Sequence, residues 1–240
     1  MKVVRILGVP FQTNGFNETV ADLTARIQSR ERTHVVTANP EVVMIANEDQ
    51  QFRQIVEQAY VVPDGIGIVY AAKILDYPIT ERVTGIELLE GLMEQANKHE
   101  WKVFLLGASP EVNKRASTEL AHKYPNARIV GAIDGYFTPE EEAKIASEVA
   151  ASQADILFTA LGAPKQDVWI SKYWDRLQVS LAMGVGGSFD VLAGTVKRAP
   201  SIWQKLHLEW LYRLMKQPSR WKRQLAIPRF ILAVLQDKKR

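Results

Sequence analysis

The sequence predicts an α/β fold, a mostly parallel Rossmann-like sheet sandwiched by helices, with a basic amphipathic helical appendage at the C-terminus. Three observations predict it. Strand-like and helix-like segments alternate over residues 1–196, as in βαβ proteins. Several strand-like segments are near-continuous apolar runs, the mark of strands covered on both faces. The charge is also unevenly divided. Residues 197–240 hold twelve Lys or Arg against two acids, Glu209 and Asp237, whereas residues 1–196 hold 18 basic against 25 acidic residues. The chain thus divides into an α/β domain over 1–196 and a basic appendage over 197–240.

Along the chain, strands are expected at Val3–Val9, Thr33–Thr37, Tyr60–Val62, Trp101–Gly107, Ala127–Gly131, Ala154–Gly162 and Val179–Gly184. Helices are expected between them, at Asn17–Arg30, Pro40–Gln58, Ile66–Leu75, Gly85–His99, Pro110–Tyr124, Pro139–Ser152 and Pro164–Trp174. A proline suits a first helical turn, where no intrahelical donor is lost. In the appendage, Pro218 and Pro228 divide an apolar, Trp-rich segment into two or three short helices. Lys205, Glu209, Arg213 and Lys216 share one stripe of a wheel that is otherwise largely apolar. Such helices suit a bilayer interface, and packing against the body is the competing reading.

Composition narrows the function. With 240 residues, 47% hydrophobic and 24% charged, the chain can bury a full core, which excludes disordered and collagen-like classes. It has no cysteine, which excludes a thiol nucleophile, a thiolate zinc site and an iron–sulfur cluster. The charged start, Met1-Lys2-Val3-Val4-Arg5, is unlike a secretory signal, and no apolar run reaches the length of a membrane span. The expectation is a cytoplasmic protein held peripherally at the inner face of the membrane.

Five strands run into polar turns: Thr37-Ala38-Asn39-Pro40, Pro63-Asp64-Gly65-Ile66-Gly67, Gly107-Ala108-Ser109-Pro110, Gly162-Ala163-Pro164-Lys165-Gln166 and Gly184-Val185-Gly186-Gly187-Ser188-Phe189-Asp190. Parallel sheets bind ligands at the carboxyl ends of their strands, and helix N-termini there offer amides to phosphate. Five such turns point to a nucleotide or phosphosugar cleft. The sequence lacks G-x-x-x-x-G-K-[ST], does not continue Gly184-Val185-Gly186-Gly187 as G-x-G-x-x-G, and has no Asp-x-Asp pair. No metal cage and no cofactor are expected. His34, His99, His122 and His207 read as solvated. Asp64 faces the cleft, with a helix N-cap as its ordinary alternative; Thr37 and Asn39 follow a strand on the same edge, Asn39 also suiting a turn before Pro40. Lys165 and Gln166 fall in a first helical turn, and Tyr136 reads as core rather than a stacking platform.

Taken together, Thr37-Ala38-Asn39-Pro40-Glu41, Pro63-Asp64-Gly65-Ile66-Gly67, Glu81-Arg82-Val83-Thr84-Gly85, Gly135-Tyr136-Phe137, the two later glycine turns and Leu208-Glu209-Trp210-Leu211-Tyr212-Arg213-Leu214 resemble the WecG/TagA/CpsF glycosyltransferases. The likeness runs in order along essentially the whole chain. It implies an inverting, metal-independent transfer of N-acetyl-D-mannosamine from its UDP donor to N-acetylglucosamine carried by undecaprenyl diphosphate, in wall teichoic acid linkage-unit synthesis. A related UDP-sugar such as the uronate is the alternative. The resemblance makes Asp64 the general base and sets Arg82 near the diphosphate. Thr37, Asn39, Gly107, Gly162, Lys165, Gln166 and Asp190 are the candidate substrate contacts, with solvation the alternative for Lys165 and a partner arginine the alternative for Asp190, and Arg213, Arg220 and Arg223 are candidates for gripping the acceptor's pyrophosphate. Asp167 stands where Glu is common in the family. Deleting the chain from about Pro200 is expected to leave a soluble, UDP-binding, inactive protein. Self-association is a competing use of the apolar tail. A nicotinamide oxidoreductase and a nucleic-acid-binding module are the more distant readings; the tail's apolar bulk speaks against nucleic acid as a partner.

Overall fold

Where the sequence suggests one strand over Val3–Val9, the chain instead doubles back. β1 (Val3–Ile6) and β2 (Val9–Gln12) pair antiparallel around a two-residue turn, with Leu7 at φ 49° and Gly8 at φ 84°. Both turn residues lie in the left-handed region that a tight hairpin needs. The structure is a computed structural model and describes residues 2–196, 200, 203, 212 and 226–238. The other strands are β3 (Thr33–Ala38), β4 (Tyr60–Pro63), β5 (Lys102–Gly107), β6 (Arg128–Ile133), β7 (Ile156–Ala160) and β8 (Leu181–Gly184). With the hairpin they form one sheet in the order β1-β2-β4-β3-β8-β7-β5-β6, in which every pairing except β1 with β2 is parallel. The expected α/β class holds.

Among the described residues the helices are α1 (Phe16–Gln28), α2 (Pro40–Glu48), α3 (Gln50–Gln58), α4 (Ile66–Ile74), α5 (Gly85–His99), α6 (Pro110–Lys123), α7 (Glu142–Ala151), α8 (Lys165–Leu177), α9 (Ser188–Leu192) and α10 (Ala226–Asp237). The single helix expected over Pro40–Gln58 is two. Asp49 leaves helical geometry, and its carboxylate accepts from the amides of Gln51 and Phe52, capping a new helix inside the run.

Strand alternation divides the core. Val35, Val62, Leu105, Phe158 and Met183 point to one face, where they pack with α1, α5, α6 and α9. On the other face, Val36 and Val61 pack under α2, α3, α4 and α10, while Phe104, Leu157 and Ala182 pack under α7 and α8. The N-terminal half of the sheet (β1–β4) meets the C-terminal half (β5–β8) at a single seam, β3 beside β8.

α10 resolves part of the question the sequence leaves about the tail. Phe230 and Val234 are fully buried in the core beneath α2 and α4. Arg229 pairs with Glu48 of α2, and Lys238 donates to the Ile74 carbonyl at the end of α4. Core packing thus accounts for one side of this helix. On the other side Ile231, Leu232 and Leu235 are exposed, with relative exposures of 44%, 60% and 43%. No described helix is long and apolar enough to cross a membrane.

Candidate active site

All five polar turns lie at the carboxyl edge of the sheet, because the strands that lead into them, β3, β4, β5, β7 and β8, run parallel. They gather around the β3/β8 seam, where ligand crevices form in open α/β sheets. Thr37 Oγ1 donates across the seam to the Gly184 carbonyl at 3.1 Å. The amide of Asp64 donates to the Ala38 carbonyl at 2.9 Å, which holds the β4 turn against the β3 turn. The Val83 amide donates to the Pro63 carbonyl at 2.9 Å, so half-buried Arg82 sits beside the Asp64 turn. A Cβ on Gly85 would stand 3.4 Å from Thr37 Oγ1, and one on Gly65 would stand 3.8 Å from Asn39 Cβ. Thr37, Asn39, Asp64 and Arg82 therefore come from distant parts of the chain to one place.

The turn at Asp64 depends on its neighbour. Gly65 has φ 109°, a conformation an L side chain rarely adopts, and it, not Asp64, is the N-cap of α4. No side chain caps that helix. The ordinary role that the sequence offers Asp64 is thus not the one its side chain takes, and the residue is half-buried in the turn that follows β4. Asn39 does take its ordinary role: its Oδ1 accepts from the Val42 amide at 3.0 Å as the N-cap of α2.

Gln166 is placed differently from a residue that reaches into solvent. It is 4% exposed, and its Oε1 accepts from the Gly186 amide at 3.0 Å. A Cβ on Gly184 would lie 2.3 Å from Gln166 Nε2 and 2.9 Å from Asp167 Oδ1, so only glycine fits there. Gln166 thus braces the glycine turn after β8. Gly162 (φ 78°) and Gly186 (φ 51°) differ from Gly184: a Cβ on either would meet nothing within 4 Å, so both border open space. Gly107 instead faces protein, its missing Cβ only 2.6 Å from the Ala160 backbone. Lys165 is exposed, with Nζ 5.2 Å from the centre of the Phe137 ring. Asp190 is half-buried in α9, and its carbonyl accepts from Thr195 Oγ1 at 2.9 Å. Arg213, Arg220 and Arg223 lie outside the described residues. Of the aromatic residues of that stretch Trp203 and Tyr212 are described, with ring centres 5.8 Å apart.

Two sequence expectations need correcting. Tyr136 is 80% exposed rather than core. Its amide donates to Asp134 Oδ1 and the Gly135 amide to the Ala108 carbonyl, which fixes a turn that sends Phe137 inward and Tyr136 out. His34 is not solvated, since its side chain is only 10% exposed and its Nε2 lies 3.4 Å from Oδ1 of Asp167, itself 1% exposed. β3 is a central strand, so α8 covers a residue that reads from sequence as a strand start. Depressions of about 350 Å³ between α5, α6 and α9, and of about 590 Å³ at the amino ends of β5 and β8, lie apart from these groups.

Helices α2, α4, α5, α6 and α8 all begin at this edge. Asn39, Thr84 and Ser109 cap α2, α5 and α6, while α4 and α8 have no side-chain cap. At the start of α8 the Gln166 amide donates to the Gly162 carbonyl and the Asp167 amide to the Pro164 carbonyl, so what this helix end offers an anion is chiefly the partial positive charge of its dipole. Among the described residues, no group of three His, Asp or Glu side chains converges to hold a metal ion.

The model of the glycosyl transferase WecG/TagA/CpsF family matches residues 4–240. The chain is 37% identical over 217 residues to the N-acetylglucosaminyldiphosphoundecaprenol N-acetyl-beta-D-mannosaminyltransferase of Bacillus spizizenii, covering 90% of this chain and 84% of that protein. It is 37% identical to the protein of the same name from Bacillus subtilis strain 168 over 206 residues, 85% of this chain and 80% of the relative. The Staphylococcus aureus MRSA252 protein of that name is 36% identical over 240 residues, 99% of this chain and 94% of its own.

Proposed function

The chain belongs to the WecG/TagA/CpsF glycosyltransferase family, and from that premise we propose that it moves N-acetyl-D-mannosamine from a UDP donor to N-acetylglucosamine on undecaprenyl diphosphate, with inversion. The observation that carries the reading is the convergence of Thr37, Asn39, Asp64 and Arg82 at the β3/β8 seam, beside uncapped helix N-termini. In the proposed step an acceptor hydroxyl oxygen bonds to the sugar's anomeric carbon as the carbon–oxygen bond to UDP breaks. Asp64 takes the hydroxyl proton, and UDP leaves with the bonding electron pair. Arg82 and the positively polarised N-terminal ends of α4 and α8 offset the charge that gathers on the diphosphate. Gly162 and Gly186 leave room for backbone to approach it. Tyr136, exposed on the neighbouring loop, offers a face for the uracil ring.

The test is a panel of UDP-sugars with a lipid-diphosphate N-acetylglucosamine acceptor, read by UDP release. UDP-N-acetylmannosamine should be turned over, and excess EDTA should leave the rate unchanged. Turnover of the uronate alone would reassign the donor, and loss of rate in EDTA that Mn²⁺ restores would replace the cationic side chains with a metal.

The same reading gives the exposed side of α10 a partner. A lipid-linked acceptor lies at a bilayer, and a segment with twelve cationic residues and an apolar edge of Ile231, Leu232 and Leu235 suits an anionic surface. Changing these three residues together to serine should weaken binding to phosphatidylglycerol vesicles at least tenfold, since each apolar side chain contributes about 1 kcal/mol or more in an interface. The melting temperature should stay nearly constant. Undiminished vesicle binding together with a change from oligomer to monomer would assign the edge to self-association instead.

A further inference from the structure

Asp167 and His34 take no part in the chemistry proposed above, yet they are a buried ionisable pair directly beneath it. Asp167 lies in the first turn of α8 and is 1% exposed, so its carboxyl group is withdrawn from water, a position that is costly unless hydrogen-bonded. A carboxylate only accepts, so His34 Nε2–H donates to its Oδ1, 3.4 Å away. The imidazole is walled by Trp174, with ring centres 6.0 Å apart. The pair ties β3 to the first turn of α8. The residue before Asp167, Gln166, accepts from the Gly186 amide, and Asp167 and Gln166 together close over Gly184. Thr37 holds the Gly184 carbonyl from β3 on the opposite side. The glycine turn after β8 is thus gripped by two residues of β3, one directly and one through α8.

Resting on the reading of the site as a UDP-sugar cleft, we propose that His34 and Asp167 are positioning residues for the donor: their contact fixes the α8 turn, and through Gln166 it sets the Gly184–Gly187 backbone in the shape that receives the diphosphate. The chemistry at stake is recognition of a nucleoside diphosphate by ordered amides.

The experiment is calorimetric titration of UDP into the full chain and into Asp167→Ala, Asp167→Glu, His34→Ala and the Asp167→Ala/His34→Ala double variant. Each alanine variant should weaken UDP binding about tenfold, or about 1.4 kcal/mol. The double variant should be no weaker than the worse single variant, because the two residues act as one contact. Asp167→Glu should recover most of the affinity. Amide hydrogen exchange across Gly184–Gly187 should quicken in Asp167→Ala by more than it does in β5 and β7, and not in Asp167→Glu; a loss of stability alone would quicken all of these amides together. If Asp167→Ala does not fold, Asp167→Asn and His34→Gln take its place. Wild-type UDP affinity in both single variants, or fully additive losses in the double variant, would overturn the proposal even if melting temperatures fall. Failure of the unaltered chain to bind UDP would overturn it together with the reading of the cleft.

Discussion

Asp64→Asn is expected to lower kcat by about a thousandfold, within the range a positioned general base contributes, while donor KM and melting temperature stay close to those of the unaltered protein. The local geometry makes the separation possible. The Asp64 backbone, through its amide to the Ala38 carbonyl, holds the turn, and asparagine keeps that bond. The side chain caps no helix, since Gly65 occupies the cap of α4, so the usual stability cost of losing an Asp cap does not arise. Asparagine keeps the size of the side chain but cannot take the acceptor's proton. Steady-state rates with both substrates, together with UDP titration and a thermal melt, check all three quantities. Turnover within tenfold of normal would remove Asp64 from the proton-transfer step. A large KM effect with unchanged kcat would make it a binding residue.

The parallel strands are legible in the sequence for a simple physical reason. Strands such as Val103–Leu106 and Ile156–Phe158 are covered on both faces, so they read as unbroken apolar runs ending in Gly or polar turns. The N-terminal hairpin is not legible in this way. Its turn uses Leu7-Gly8 rather than Asn-Gly or Asp-Gly, and a leucine at positive φ announces nothing. The break between α2 and α3 does carry a signal, an Asp inside an otherwise helical run, but an interior Asp is also tolerated on a solvated helix face.

The site divides along a similar line. Which turns share an edge follows from strand direction alone, so Thr37, Asn39 and Asp64 are found together as expected. Which residues stand behind them depends on strand order. Placing β3 at the centre, between β4 and β8, buries His34 under α8 and gives Gln166, a candidate donor contact, the further part of a brace for Gly186. Likewise Gly107 is needed by the backbone of Ala160, a neighbour in space that local sequence does not reveal. The tail was ambiguous because it is two-sided: Phe230 and Val234 belong to the core, and Ile231, Leu232 and Leu235, one or two positions away, do not.

That two-sidedness leads to the second large effect. Phe230→Ala should destabilise the protein by about 3–5 kcal/mol, the usual cost of emptying a fully buried aromatic site, and lower the melting temperature by about 10 °C for a chain of this size. Ile231→Ser, one residue along the same helix but exposed, should shift it by no more than a degree or two. The contrast bears on the truncation at Pro200. That deletion removes the exposed edge and the core residues together, along with the Arg229–Glu48 pair, and bares the outer surfaces of α2 and α4. Asn39 and Gly65 are the N-caps of these helices, so loosening them reaches the turns that carry Asn39 and Asp64. The truncated chain should therefore melt at least as low as Phe230→Ala and bind UDP more weakly than the full chain. Its inactivity alone would not report on the membrane. Equal melting temperatures for Phe230→Ala and Ile231→Ser would mean that α10 is not docked in solution, and the clean separation of body from tail expected from the sequence would then stand.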